Sequence, residues 1–204
     1  MIEDKSLKRA IASAAKNGGV RVWIEEGAEN VNFWSDSWCV VTDKINMREH
    51  LRGSMGCIVE MLGRLPERPV NIRKGKGDWL EEPMLPEVAE AQIGFFHVAG
   101  SLEEVRRLPL TWRLAALWQG KSGQIYGSGY GAPHCACKTV HVNQNGNIVM
   151  LDEDSHECVI AAGFTKGSRD GEEYRELAHL QLFNWDEWVA RPAMDQMEME
   201  VEDE

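Results

Sequence analysis

The chain has 204 residues, 43% apolar and 27% charged, with a net charge of −11. That is enough apolar material for one folded core and too much for bulk disorder, and no run approaches the roughly 20 apolar residues of a membrane-spanning helix. Five unevenly spaced cysteines in a chain of this size argue for reduced thiols over a disulfide framework, and so for a cytoplasmic setting without a membrane.

Residues 186–204 hold eight acids against Arg191, about −7 of the total, so the body of the chain is only mildly acidic. A direct nucleic-acid binder normally carries a basic stripe to neutralise phosphates, and none is visible along the sequence. The expectation is therefore of no direct nucleic-acid binding.

In chain order, Leu7, Ile11, Ala14 and Ala15 recur at helical spacing and stop at Gly18-Gly19, which predicts a capped helix over Asp4–Asn17. Val20–Ile24 alternates, and residues 31–42 are rich in aromatic and β-branched side chains, so two paired strands follow. Asn46 and Glu49 form a capping-box variant ahead of Leu51, Met55, Ile58, Val59 and Leu62, which predicts a helix over residues 47–64. Residues 70–73 alternate before a Lys-Gly-Lys-Gly turn and Trp79, a strand and hairpin signal.

Pro83 and Pro86 point to a loop with a short helical turn over residues 81–90, and residues 92–99 read as a buried strand. Ser101-Leu102-Glu103-Glu104 is a capping box for a short helix reaching Leu108, and residues 110–119 fit either strand or helix. Residues 139–142 and 147–151 flank Asn145-Gly146, the pair suited to a type I′ hairpin turn. A strand over 158–164 and a helix over 172–190, carrying Tyr174, Leu177, Leu180, Phe183, Trp185 and Trp188, complete the elements.

The fold expected is α+β: a single globular domain over residues 1–192 with an antiparallel or mixed sheet covered by three or more helices. Residues 193–204, acids alternating with Met and Val, form an acidic and disordered tail in this reading.

The motifs that carry chemistry are sparse. Gly120-Lys121-Ser122 ends like a phosphate-binding loop, but Ala115 occupies the earlier glycine position. Gly127 to Gly131 lacks dinucleotide spacing and runs into Pro133. Cys135, Cys137, His156 and Cys158 form a candidate structural zinc site. A hairpin about Asn145-Gly146 would bring 135 near 156, with 137 and 158 one pair away. Buried cysteines packed in a sheet are the alternative. His134 or His141 beside a thiol would suit a Cys/His-dependent enzyme, although no nucleophile motif frames them. Eight tryptophans are many for this length, and Trp185 and Trp188, flanking Asp186 and Glu187, are interface candidates together with Glu198, Glu200, Glu202, Asp203 and Glu204.

Residues 32–41, Asn-Phe-Trp-Ser-Asp-Ser-Trp-Cys-Val-Val, lie between a first helix and strand and a second helix with the strand at Val70. In this order residues 1–75 resemble one repeat of a DNA sliding clamp, and are similar to uncharacterised proteins of phages and mobile elements. His179-Leu180-Gln181-Leu182-Phe183 resembles the short peptide by which bacterial proteins dock on that clamp. The resemblance implies a phage or mobile-element protein.

Charge and the absent catalytic motifs lead to a non-enzymatic reading. The protein binds and inhibits a host protein machine, such as a CRISPR defence complex or another nucleic-acid enzyme, by placing carboxylates in a basic channel. A zinc-containing or Cys/His-dependent enzyme and a clamp-like replication accessory are the alternatives.

Overall fold

In a computed structural model of the protein, the described residues are 2, 4–24, 30–43, 63, 64, 66–97, 100–112, 115–129, 131–135, 137, 139–152 and 157–163. They form helix α1 (Asp4–Asn17), strands β1 (Val20–Ile24), β2 (Asn30–Trp34), β3 (Trp38–Asp43), β4 (Val70–Lys74) and β5 (Trp79–Pro83), helix α2 (Pro86–Phe96), and strands β6 (Glu103–Trp112), β7 (Ala115–Gly120), β8 (Ile125–Gly129), β9 (Val140–Val142), β10 (Ile148–Asp152) and β11 (Glu157–Ala161).

All eleven strands share one antiparallel sheet, in the order β5-β4-β1-β2-β3-β11-β10-β9-β6-β7-β8. A sheet covered by three or more helices is thereby overturned: two short helices stand against eleven strands among the described residues. Of the helices expected from sequence, that over 172–190 and all but the end of that over 47–64 lie outside the described residues.

The remaining differences have local causes. Residues 101–108 open β6 and not a helix. Glu103, Glu104 and Val105 pair with Val142, His141 and Val140 of β9, and the Glu104 carboxylate meets Lys121 at 2.7 Å across the sheet. Those long-range pairings outweigh the local capping box, whose worth is about 1 kcal/mol. Residues 92–96 belong to α2, because Pro86 supplies a preset first helical residue and the apolar run that follows fits a helix packed on the sheet.

The sheet has two different faces. Val20, Val22, Val31, Phe33, Trp38, Val40, Val70, Ile72 and Val159 point to one side and pack with Leu7, Ala10 and Ile11 of α1. Trp34, Cys39, Val41, Val149 and Ile160 point to the other and pack with Ala89 and Phe96 of α2. Strand periodicity of two, applied to strands apolar on both sides, requires such a double cover. Gly18-Gly19 ends α1 as expected: the Gly19 N–H donates to Ala14 O at 2.8 Å, with φ +115° at Gly19.

The far end of the sheet curls. Ser128 in the edge strand β8 makes an antiparallel bridge with Gly163, just beyond β11, enclosing a third core of Val105, Ala116, Trp118, Val142, Ile148 and Ala161. The Trp118 indole N–H donates to Ser128 Oγ at 3.0 Å inside it.

The hairpin between β9 and β10 forms, with a different turn. Asn143 and Asn147 close a loop of Gln144, Asn145 and Gly146, in which the Gly146 N–H donates to Asn143 O at 2.9 Å. The Asn143 N–H donates to Asn147 O at 3.0 Å, so the loop has three residues with Gly146 at φ +80°, where a type I′ hairpin has a two-residue loop. The Asn143 carboxamide instead accepts from the N–H groups of Asn145 and Asn147, both at 3.0 Å.

Candidate interaction surface

Helix α2 is built from both ends. Leu85, in extended conformation, precedes Pro86 at the first helical position, and Glu87 in the first turn suits the positive end of the helix dipole. At the other end the carbonyls left without helical partners are met from the β9–β10 loop. Asn143 Nδ2 donates to Phe96 O at 3.1 Å, and Asn147 Nδ2 to Phe95 O at 3.0 Å. On the sheet side the Trp34 indole N–H donates to Gln92 Oε1 at 3.0 Å, so the helix is fixed in rotation.

That rotation exposes an apolar stripe. Ala89, Gln92, Ile93 and Phe96 face the sheet. Leu85, Val88 and Phe95 face solvent at 67%, 43% and 40% exposure, with exposed Ala91 between the last two. The spacing of three, three and four residues places them along one side of the helix. Leu80, 52% exposed, stands on the neighbouring edge strand β5. Exposed carboxylates accompany the stripe: Glu87 and Glu90 on α2, and Glu82 beside Leu80 on β5, whereas Glu81, opposite Ile72, alternates to the α1 side. Glu81 is held by Arg64 at 2.8 Å and Glu82 by Arg73 at 3.5 Å, whereas Glu87 and Glu90 make no ion pair among the described residues.

Of the residues singled out from sequence, Trp185, Asp186, Glu187, Trp188, Glu198, Glu200, Glu202, Asp203 and Glu204 lie outside the described residues, as does His156 of the candidate zinc set. Cys135, Cys137 and Cys158 are described. The β9–β10 register pairs 142 with 148 and 140 with 150, which would set position 135 opposite 155, one residue off the expected pairing. β9 begins only at Val140, and Cys135 instead bridges Ile2 beside α1. Among the described residues no three His, Cys, Asp or Glu side chains come together in a way that would hold a metal ion.

Three of the described thiols are held above the ordinary range. Burial, then the neighbouring Cys135 and Cys137, push the Cys158 thiol up to about 12. Burial and then Cys158 push Cys39 well above the ordinary thiol range, and burial raises Cys137. A thiol that stays protonated is a poor nucleophile.

A cleft of about 120 Å³ between the end of α1 and the β2–β3 turn, lined by Asn17, Gly18, Ser35, Asp36 and Ser37 among others, is well below the roughly 300 Å³ at which small-molecule sites begin.

The α2 stripe was missed from sequence because residues 81–90 read as a loop and 92–99 as a strand. The signal that would have found it is Pro86-Glu87 at a helix start, followed by apolar residues at 88, 91 and 95. No helix among the described residues is long and apolar enough to cross a membrane. Comparison of the chain with protein-family models, with curated proteins and with solved structures gives no match.

Proposed function

We propose that this is a non-enzymatic interaction protein of phage or mobile-element type, acting in the cytoplasm. It binds and inhibits a host protein machine that carries a basic nucleic-acid-binding surface. The observation that carries this reading is the exposed stripe Leu85, Val88 and Phe95 accompanied by Glu82, Glu87 and Glu90. Such a surface complements a partner with an apolar centre and a basic rim, because specific interfaces combine a dry apolar core with polar edges and opposed potentials.

An 11-residue helix is about 16 Å long and covers roughly 200 Å², a quarter of the ~800 Å² that each partner contributes to a stable complex. The acidic residues 186–204, with Trp185 and Trp188, are the proposed remainder. Thiols raised above the ordinary range at Cys39, Cys137 and Cys158 favour binding over the Cys/His-dependent alternative.

The test is a co-purification from the host that identifies the partner, repeated with the double variant Val88→Asp/Phe95→Ser. Both positions are exposed, so the fold should persist, while truncating two central apolar contacts should weaken the complex by about ten- to a hundred-fold. Inhibition of the partner's nucleic-acid activity should fall in parallel. An identified partner held and inhibited equally by both proteins would refute this surface.

A further inference from the structure

Beyond Asp4 at its first position, the outer face of α1 is basic. Helical periodicity sends Leu7, Ala10, Ile11 and Ala15 to the core, leaving Lys5, Lys8, Arg9, Ala12, Ser13, Lys16 and Asn17 exposed. No acid stands among those seven. None of the four cations makes an ion pair among the described residues, whereas Arg21, Arg64, Arg73 and Lys121 are each paired. The pairing of Val20 with Ile72 puts Lys74 on the same side of the sheet as α1, near its Gly18 end, with its ammonium 5.4 Å from the Trp79 ring centroid. In a chain of net charge −11, positive charge collects on this face.

We propose that the acidic segment 193–204 of the same chain docks on this face of α1. Three observations select that occupant. The first is charge: the segment carries Asp195, Glu198, Glu200, Glu202, Asp203 and Glu204 and no base.

The second is spacing. In Met197-Glu198-Met199-Glu200-Val201-Glu202 the acids alternate, so an extended segment would present them on one side about 6.8 Å apart. Residues four apart on a helix, such as Lys5 and Arg9, are about 6 Å apart along the axis.

The third is the composition of the face, which has cations, Ala, Ser and Asn but no exposed large apolar residue. A separate protein would find no apolar core there, and a free nucleic acid would be repelled by the chain's overall charge. A tethered segment avoids the cost of association and acts at millimolar effective concentration. Reach is not limiting, since even with 172–190 helical the 30 residues from 164 to 193 can span roughly 65 Å.

This contact stands apart from the α2 surface and needs no partner for its test. It also means that a basic partner must compete with α1 for the acidic segment.

The full-length chain is treated with an amine-reactive ester and each lysine's labelling is read by peptide mass spectrometry, alongside a variant with Glu198, Glu200 and Glu202 changed to Gln. At low salt Lys5, Lys8 and Lys16 should react on the order of two- to five-fold more slowly in the natural chain, and the difference should vanish near 1 M salt. Lys121, already paired with Glu104, serves as the unchanged reference. A double variant Lys8→Glu/Lys16→Glu should release Lys5 in the same way, with melting curves confirming the fold. Equal labelling of the two chains at low salt overturns the proposal. So does protection that grows with protein concentration, which would place the segment on a second copy, or protection lost on nuclease treatment, which would make nucleic acid the occupant.

Discussion

Asn147 joins three parts of the molecule, and removing its side chain tests that joint. The side chain is buried, donates Nδ2–H to Phe95 O at 3.0 Å at the end of α2, and accepts the Gly163 N–H on Oδ1 at 3.1 Å where the chain leaves β11. Each net hydrogen bond contributes about 1 kcal/mol, and a donor left unsatisfied adds about 1–3 kcal/mol. Phe95 O keeps Asn145 Nδ2 at 3.4 Å, so only the Gly163 N–H is left without its partner. Asn147→Ala should therefore cost about 2–4 kcal/mol, or roughly 5–15 °C in Tm for a chain of this size. Urea unfolding followed by tryptophan fluorescence measures the loss, and hydrogen exchange should show the last turn of α2 opening first. Asn147→Asp keeps the acceptor for Gly163 but sets a buried carboxylate against the Phe95 carbonyl. Such a group has its pKa raised, so its stability deficit should shrink as pH falls towards 4 and the protonated acid donates to Phe95 O. A loss below about 0.5 kcal/mol for Asn147→Ala, with unchanged exchange in α2, would refute the reasoning.

Gly19→Ala should destabilise by at least about 1–3 kcal/mol, because φ is +115° there and a Cβ would run into the buried Asn71 carboxamide; an unchanged urea midpoint would contradict it. Tyr126, one of three tyrosines, should ionise last in an alkaline absorbance titration, since burial, then the Glu103 charge and the 3.1 Å hydrogen bond to it, push its hydroxyl up to about 12. As an acid with a raised folded-state pKa, it contributes stability in full below its ordinary value near 10, lost as pH climbs towards 12. Glu103→Gln should bring that ionisation down, and a Tyr126 that titrates identically in the variant would show that the carboxylate is not its cause.

How much of this was legible in the sequence depended on whether the signal was local. α1 was readable because Leu7, Ile11 and Ala15 repeat at 3.6 and Gly18-Gly19 stops them, and β1 and the strand character of residues 31–42 because alternating β-branched and aromatic residues have few other uses. The Ser35-Asp36-Ser37 turn that splits 31–42 into β2 and β3 was not read. The Asn145-Gly146 hairpin was readable as a hairpin, but its turn type depended on the Asn143 carboxamide, which captures two backbone N–H groups that the dipeptide rule does not consider. β6 was hidden behind a capping box because its partners, β9 and β7, are remote in the chain. The candidate site fared similarly. Exposed Leu85, Val88 and Phe95 form a stripe only once α2 is recognised as a helix, and the basic face of α1 gains Lys74, some seventy residues from Lys5, only through the β1–β4 pairing.

The sheet also explains what the tryptophans and charges do. Trp34 and Trp38 stand on either side of the Ser35-Asp36-Ser37 turn and are both fully buried, yet on opposite faces: Trp34 against α2 and Trp38 against α1. With Trp118 inside the curled end, three of the eight tryptophans are core fasteners, so their number alone does not mark a binding surface. Charge is likewise divided by the sheet, with cations on α1 and carboxylates with an apolar stripe on α2 that make no ion pair among the described residues. With the basic partner proposed above, a molecule polarised in this way would turn so that the α2 side approaches first. Electrostatics would then set the orientation of the encounter, and Leu85, Val88 and Phe95, which salt does not screen, would set how long the proposed complex lasts.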